Sequence, residues 1–436
     1  MIQTKDNSIS AAIPEGQELD DLKRMAKSSI AELCSDEGNS LLVFPQSFNE
    51  YGDKIGTEHI FDINGENQLL TGNIMGFVGY NDTQVSICSR FAQQEGDYFL
   101  HYMLQKVFAI NLFDLKHDSD TESVFDFLIY LFPAFLKRAL RQGLFKEYQT
   151  RHYNDANVRG RIDIQRHIRQ NIPFAGKVAY TTREYAVDNR VTQLVRHTIE
   201  YIANHPYRGN ILNNDEETKE AVGLINNATL SYNRNDRNRI INLNKRPINH
   251  PYFNDYRDLQ RLCMQILRHE ELKYGQDEDR IYGVLFDGAW LWEEYLNTVL
   301  KNIGFEHPRN KTGKGRKYLF SDHTGICYPD FYSQEMVLDA KYKSYEHWDK
   351  VQTADLYQLV TYMHILKLDR GGFVTPVSNG GNQLVVKTLN GYGGQMSIFG
   401  MNVDQQCPAF SCFVDKMEAE EMKLIESIRG FPFPRH

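Results

Sequence analysis

The sequence predicts an α/β fold in its carboxyl-terminal part, preceded by a β-rich amino-terminal module and a mainly helical middle region. From residue 281 onward the order is helix, strands, helix and strands, which is typical of helices packed on a mixed sheet. Residues 41–95 contain strand-like runs on both sides of the turn signal Gly79-Tyr80-Asn81-Asp82. Apolar residues at helical spacing follow at 97–110 and 123–140, so helices are expected after this module.

The carboxyl-terminal elements follow from hydrophobic spacing. Residues 289–300 place Trp292, Tyr295, Leu296 and Val299 on one helical stripe. A second helix is expected over 354–366, and short apolar runs between and after the helices predict strands. The predicted strands are 316–320, 328–332, 336–342, 371–377, 383–389 and 396–403.

Changes in composition along the 436 residues predict four segments, and a chain of this length is expected to form two or three domains with separate cores. The segments are a loose start and one helix at 1–40, a β-rich and then helical module at 41–150, an Arg- and Asn-rich middle region at 151–280, and the α/β domain at 281–436. The boundary near 280 is placed at the polar, turn-prone stretch 275–280.

Composition limits the class of protein. The chain is 41% hydrophobic and 24% charged, and its six cysteines include no CxxC pair, which favours reduced thiols in a cytoplasmic protein. The amino terminus has no apolar signal region, and the most apolar window, 124–136, is too short to cross a membrane. A net charge of −8 excludes a polycation of the chromatin type, but clustered basic residues still permit nucleic-acid binding.

Acidic and basic residues gather at the end of one predicted strand. Strand alternation places Asp339 and Lys341 on the same face, and the short link 333–335 brings Asp330 onto the neighbouring strand. Two carboxylates beside an ammonium group form a site suited to Mg²⁺, which prefers oxygen ligands and keeps several waters. In phosphodiester hydrolysis the metal activates a bound water, and Lys341 would hold or help to deprotonate it and offset charge in the transition state.

The two flanking helices add candidate site residues. Glu293 lies on the flank of its helix and is the better third acid, whereas Glu294 is expected to point toward solvent. On the second helix, Gln358 and Tyr362 are four residues apart on one face. Asp355, one turn earlier, is interpreted as ordinary helix amphipathicity.

Four motifs together resemble those of the PD-(D/E)xK nuclease superfamily, in its RecB-like branch. They are Glu293, Pro329-Asp330, Asp339-Ala340-Lys341 and Gln358-x-x-x-Tyr362. The resemblance implies a restriction-endonuclease-like mixed sheet flanked by helices. It also implies that Glu293, Asp330 and Asp339 hold Mg²⁺, with Mn²⁺ as a possible substitute, and that Lys341 is the catalytic lysine. Gln358 and Tyr362 would steer the DNA backbone near the metal. Lys343 is the substitute if Lys341 proves dispensable.

The rest of the chain is similar to McrC proteins. The strands at 72–91 resemble the amino-terminal McrC pattern, with Ser89 in place of the family's proline. Matches follow at 158–171, at 187–195 and at 291–296, where Trp292 replaces phenylalanine. The resemblance implies the DNA endonuclease subunit of an McrBC-like restriction system in antiviral defence. Its partners would be double-stranded DNA and a hexameric, GTP-hydrolysing AAA+ motor of the McrB type, which residues 41–150 would engage.

Several basic residues are candidates for DNA contact. Lys311, Lys314, Arg316 and Lys317 form a basic hairpin near the predicted cleft, and Arg159 and Arg161 belong to a second cluster. Such runs are often solvated faces, so both interpretations stay open. The chain has no GxxxxGK[ST] loop, and no nucleotide is expected to bind to it alone.

Two other functions remain in competition. One is an adaptor that activates an NTPase ring and cleaves little by itself; the other is a stand-alone RecB-like repair nuclease. The complete set of Asp330, Asp339 and Lys341 disfavours a purely structural role, and the lack of a helicase or NTPase motif disfavours an autonomous machine.

Overall fold

The computed structural model describes residues 2–36, 39–45, 58–93, 97–108, 121–204, 209–273, 281–308, 315–378, 385–391 and 393–432. The chain divides into two compact units. The first joins residues 1–127 to 277–436, and the second comprises residues 128–276. Lys311, Lys314 and the expected boundary at 275–280 lie outside the described residues. Within the described part, no helix is long and apolar enough to cross a lipid bilayer.

The first unit begins with an amino-terminal module, by which we mean residues 2–108. Its elements are β1 (Ile2–Lys5), β2 (Ile9–Ala12), α1 (Gln17–Ala26), α2 (Ile30–Ser35), β3 (Ser40–Phe44), β4 (Phe61–Ile63), β5 (Gln68–Thr71), β6 (Ile74–Tyr80), β7 (Thr83–Cys88) and α3 (Tyr98–Phe108). A capping box at Ser29 and Glu32 starts α2, because each residue's side chain satisfies a backbone N–H of the other.

The first 40 residues differ from the expected loose start and single helix. They contain two strands and two helices, and β1 pairs in parallel with β7, more than 80 residues away. Both strands are four residues long and partly polar, so they show no alternation that a sequence pattern could reveal. Leu22, Met25 and Ile30 from the helices enter the same buried cluster as Val78 and Val85 of the sheet.

One strand from the far end of the chain completes this sheet. The order is β1-β7-β6-β11-β3, in which β11 (Ile281–Asp287) pairs antiparallel with β6 and parallel with β3. The predicted division at 280 therefore does not separate two sheets, because the strand that follows it belongs to the sheet of the amino-terminal module. A second, three-stranded sheet has the order β2-β5-β4.

Two glycines allow β6 and β11 to approach closely. Gly76 and Gly283 have φ values of 126° and 151°, a region that residues with side chains rarely adopt. A Cβ on Gly283 would lie 2.2 Å from the carbonyl oxygen of Phe77, and one on Gly76 would lie 2.2 Å from that of Val284. This strand pairing therefore depends on both glycines.

The carboxyl-terminal part of the first unit is an α/β arrangement, as the sequence predicts. Its five-stranded sheet has the order β14-β15-β16-β18-β17, with parallel pairs in the centre and antiparallel pairs at both edges. The elements are α10 (Gly288–Leu300), β12 (Lys317–Tyr318), β13 (Ile326–Cys327), β14 (Phe331–Tyr332), β15 (Val337–Ala340), α11 (Thr353–Leu366), β16 (Arg370–Val377), β17 (Lys387–Thr388), β18 (Gln395–Asn402) and α12 (Phe410–Arg429).

The second unit is mainly helical around one three-stranded sheet, whose order is β8-β10-β9. Its elements are α4 (Thr121–Leu140), which begins in the first unit, β8 (Glu147–Asp155), β9 (Arg161–Ile162), α5 (Ile164–Gln170), β10 (Val178–Ala186), α6 (Arg190–Ala203), α7 (Glu216–Ala228), α8 (Arg237–Leu243) and α9 (Asn254–Lys273). Asn189 caps α6 by accepting hydrogen bonds from the backbone of Val191 and Thr192.

We expect Gly283→Ala to lower the free energy of unfolding by about 2–4 kcal/mol, because the new methyl group collides with the backbone of β6 at a strained φ. Urea unfolding followed by circular dichroism measures the loss. Gly65→Ala is the matched control, since a Cβ there meets nothing within 4 Å. It should change stability by no more than about 0.5 kcal/mol. Equal stability of the two variants would contradict the close approach of β6 and β11.

Candidate functional site

The site is built at the end of β15. Asp339 is the third residue of this strand and its side chain is 1% exposed. Lys341 follows the strand, and its backbone N–H continues the ladder by donating to the carbonyl oxygen of Val374, 3.0 Å away. The alternation of strand side chains places Asp339 and Lys341 on the same side, as the sequence predicts, and the Lys341 Nζ lies 2.9 Å from Asp339 Oδ2.

Asp330 reaches the same place from the neighbouring strand. It immediately precedes β14, which pairs antiparallel with β15. Its Oδ2 accepts a hydrogen bond of 2.8 Å from the backbone N–H of Ala340, between the other two residues of the motif. The hairpin therefore brings together the two carboxylates that the sequence placed on adjacent strands.

The Asp339 carboxyl group is in an unusual electrostatic environment. Burial, reinforced by the nearby charge of Asp330, raises its pKa well above the ordinary value, although Lys341 opposes the shift. Among the described residues, no donor makes a well-directed hydrogen bond to either of its oxygens. The Lys341 ammonium group, 2.9 Å from Oδ2, supplies ionic attraction.

Lys341 is held in its ammonium form. Burial by itself would lower its pKa, but the adjacent carboxylates of Asp339 and Asp330 outweigh burial and raise the pKa above the usual value. Its Nζ also donates a hydrogen bond of 2.8 Å to Gln358 Oε1 and lies 3.4 Å from Asp355 Oδ1. An ammonium group at this position can stabilise negative charge on a substrate.

Gln358 and Tyr362 connect the lysine to the loop of the other acid. Both project from α11, one turn apart, and Gln358 Nε2 donates to the Tyr362 hydroxyl at 2.7 Å. That hydroxyl donates in turn to the carbonyl oxygen of Tyr328, 3.0 Å away and two residues before Asp330. The described contacts of both side chains are thus within the site, and their expected contact with the DNA backbone stays a prediction.

Asp355 is part of the site, although the sequence analysis interpreted it as ordinary amphipathicity. It is buried, and its Oδ2 lies 3.4 Å from Lys343 Nζ and accepts a hydrogen bond from the Tyr345 hydroxyl. Its Oδ1 faces Lys341. The spacing of Asp355 and Gln358, three residues apart on one helix, was the signal that could have identified it.

The acids of α10 are arranged differently from the expectation. Glu293 is half-buried on this helix. Glu294 does not point away from the site, because its Oε1 lies 3.8 Å from His307 Nε2, and His307 Nδ1 is 2.7 Å from the carbonyl oxygen of Asp330. Burial would lower the pKa of His307, but Glu294 and the Asp330 carbonyl raise it. The position of Glu294 on the helix does not by itself predict this contact, because it also depends on where His307 lies.

The donor set fits a hard divalent cation. In the described part of the chain, no three His, Cys, Asp or Glu side chains are gathered as a metal site, so Glu293 as the third ligand stays a prediction. Mg²⁺ commonly binds through one or two carboxylates and fills its remaining positions with water and substrate oxygens. Asp330 and Asp339 supply two such carboxylates.

The candidate DNA-binding residues fall in two places. Arg316 forms hydrogen bonds with Tyr318 and Tyr328, and Lys317 lies 5.0 Å above the ring of Tyr332, so both are near the Asp330 loop. The second pair belongs to the second unit, where Arg161 is exposed on β9 and Arg159 lies 5.5 Å above a tyrosine ring.

We expect Asp339→Asn to weaken binding of a divalent cation by at least about tenfold, because a neutral amide replaces the buried carboxylate. Isothermal titration calorimetry with Mn²⁺ as the probe measures the affinity. Asp349→Asn, at an exposed position ten residues later, is the control and should bind as the wild type does. Equal affinities of the two variants would remove Asp339 from the metal site.

Comparison with known proteins adds independent information. A family model described as "McrBC 5-methylcytosine restriction system component" matches residues 69–376. No curated protein matches significantly. One similar solved chain belongs to the refined half-complex from the tetradecameric assembly of Thermococcus gammatolerans McrB AAA+ hexamers with bound McrC. It has a TM-score of 0.48 and 16% identity, and the match covers 96% of this chain and 99% of that chain. Another is in the cryo-EM structure of the Thermococcus gammatolerans McrBC complex, with a TM-score of 0.35, 14% identity, and coverage of 70% and 89%.

The family match spans well over half of the chain. It includes the amino-terminal strands β6 and β7, the whole second unit and every motif of the site at the end of β15. The predicted similarity to this family is therefore confirmed, and the chain belongs to the family of McrBC 5-methylcytosine restriction system components.

Proposed function

We propose that this protein is the McrC-type endonuclease subunit of an McrBC-like restriction system, and that it hydrolyses phosphodiester bonds of double-stranded DNA with Mg²⁺. The observation that carries the proposal is the buried Asp339 carboxylate, which lies beside Asp330 and 2.9 Å from the Lys341 ammonium group. Two neighbouring carboxylates at a strand end, one of them buried, are costly for a purely structural element. A bound divalent cation would offset that cost.

The residues have separate roles in this reaction. Asp330 and Asp339 would hold the Mg²⁺, which when bound polarises the phosphoryl oxygen and supplies an activated water. Lys341, whose ammonium group lies beside Asp339, would hold the attacking water and offset negative charge on the phosphate in the transition state. Gln358 accepts from the lysine and so fixes the direction of the ammonium group.

A hexameric AAA+ motor of the McrB type is the proposed partner. The McrBC family membership and the Thermococcus gammatolerans assembly, whose name states that McrC is bound to McrB AAA+ hexamers, both favour it. The sequence points to residues 41–150 as the docking segment. The second unit offers another candidate surface, because Ile164, Ile168, Ile172 and Phe174 on and after α5 are 53–69% exposed, and exposed apolar residues in such numbers are typical of an interface.

The adaptor hypothesis makes a different prediction for the same complex. If the chain only activates the motor, the nucleotide hydrolysis of the motor depends on the docking surface and no cleavage depends on Asp339 or Lys341. The hydrogen-bond chain from Lys341 through Gln358 to Tyr362 favours the nuclease, because an adaptor does not need to orient a half-buried lysine.

We expect Asp339→Ala and Lys341→Ala to reduce the rate of DNA cleavage by about 10²–10³-fold or more, since each removes a charge that acts on the reacting phosphate. Gel analysis of a modified plasmid, incubated with the motor, Mg²⁺ and nucleotide, measures the rate. Asp349→Ala and Lys350→Ala provide an exposed Asp–Lys pair as control and should cut normally. Undiminished cutting by both site variants would refute the assignment.

We expect Ile168→Asp to weaken assembly with the motor by at least about tenfold, because a buried charge at an apolar interface is costly. Sedimentation of the mixed complex and stimulation of GTP hydrolysis provide the two measurements. Leu230→Asp is the control, since Leu230 is 89% exposed in the same unit and lies outside α5. If both variants assemble like the wild type, docking belongs elsewhere, and the segment 41–150 is the next to test.

A further inference from the structure

The residue after Lys341 belongs to a different environment from Lys341 itself. Tyr342 is 4% exposed and packs against residues of the amino-terminal module. Its hydroxyl is 3.3 Å from Met75 Sδ, and the Phe91 ring meets its ring edge-on at 5.6 Å. Because neighbouring residues of an extended chain point to opposite sides, Lys341 faces the site while Tyr342 faces the amino-terminal strands.

Arg90 holds Tyr342 in this position. It follows β7 in the segment where Ser89 replaces the proline of the McrC pattern. The guanidinium group lies 4.7 Å from the centre of the Tyr342 ring, and its Nη1 donates to the Tyr342 carbonyl oxygen at 3.2 Å. Nη2 donates to Asn73 Oδ1 at 2.6 Å. The Arg90 side chain therefore contacts both the backbone and the ring of Tyr342.

A buried ion pair fixes Arg90 itself. Asp6, directly after β1, is fully buried, and it receives hydrogen bonds from the Arg90 backbone N–H, from Nη2 and, at 2.8 Å, from Nε. Such a pair is stable only when its geometry satisfies the remaining hydrogen-bonding atoms. Arginine meets that demand because its planar fork donates to several acceptors at once, which lysine cannot do.

The same place anchors the start of α10. The carbonyl oxygen of Asn73 accepts a hydrogen bond of 2.7 Å from Gly288, the first residue of that helix. A Cβ on Gly288 would lie 2.7 Å from the Tyr342 ring, so the helix and the strand end meet without space between them. One contact group is therefore formed by Arg90, Asp6, Asn73, Gly288 and Tyr342.

We propose that Arg90 is a positioning residue for the nuclease reaction. By binding the ring and the carbonyl oxygen of Tyr342, it holds the backbone that places the Lys341 ammonium group beside Asp339. This inference rests on the proposed function, since Lys341 must act in cleavage for its position to matter. Arg90 does not touch the site. It acts through one intervening residue, and a displacement of about 1 Å at a reacting group commonly costs about 100-fold in rate.

The Arg90→Lys variant tests the proposal. It keeps a positive charge against Asp6, which protects folding, but a single ammonium group cannot hold Asp6, Asn73 and Tyr342 together. Arg24→Lys is the matched control, because Arg24 also binds a tyrosine of the amino-terminal module, with Nη1 2.6 Å from the Tyr80 hydroxyl and the guanidinium 5.7 Å from its ring centre. Both variants are assayed in the full complex with motor, Mg²⁺, nucleotide and modified DNA.

We expect Arg90→Lys to lower kcat at least about tenfold while the DNA concentration for half-maximal rate changes less than about twofold, because binding is intact and the lysine is misplaced. Arg24→Lys should behave like the wild type. Hydrogen exchange of residues 337–345 supplies a readout that needs no cleavage, and it should be faster in Arg90→Lys alone.

Three outcomes would distinguish the role of Arg90 from the proposed function. Equal kcat for Arg90→Lys and Arg24→Lys, with Lys341→Ala inactive, refutes the role of Arg90 and leaves the proposed function intact. A parallel loss of kcat and thermal stability with unchanged exchange at 337–345 makes Arg90 merely structural, which also refutes it. If Lys341→Ala cuts like the wild type, the proposed function fails, and Arg90 then has no catalytic lysine to position.

Discussion

The attraction between the Asp339 carboxylate and the Lys341 ammonium group is the interaction on which the candidate site depends. Asp339 is buried and Lys341 half-buried at a strand end, where a lone charge would be costly. The surrounding elements supply what the pair requires. Asp330 adds a carboxylate just before β14, and α11 adds Asp355 and Gln358 on the side of the lysine. The carboxylates of Asp330, Asp339 and Asp355 outnumber the ammonium groups of Lys341 and Lys343, and a metal ion would offset the difference.

The sequence predicted the local parts of this cluster well. Asp330, Asp339 and Lys341 lie within twelve residues, and the two-residue alternation of strands determines their common side. Gln358 was found because a motif marks it. Asp355 and Glu294 were missed because each depends on partners that only the fold brings near. The partners of Asp355 are Lys343 and Tyr345, and the partner of Glu294 is His307. A helical wheel gives a side chain's direction but not what lies in that direction.

The fold shows the same division between local and long-range information. The alternation of strands and helices after residue 281 predicted the mixed sheet. It did not predict β11, because the expected order from 281 begins with a helix, and a seven-residue apolar run does not by itself reveal its partners β6 and β3. The pairing of β1 with β7 was invisible for a related reason, since four residues carry too little pattern to identify a strand.

The position of β11 bears on how this family can change in evolution. Because the strand is shared, residues 281–436 carry a piece of the other sheet with them, and a fragment that began there would present an unpaired apolar edge prone to aggregation. The described residues of 128–276, by contrast, contribute no strand to either five-stranded sheet. Sequence change within these residues therefore removes no strand from the two sheets, whereas residues 1–127 and 277–436 must be inherited together because β11 joins them.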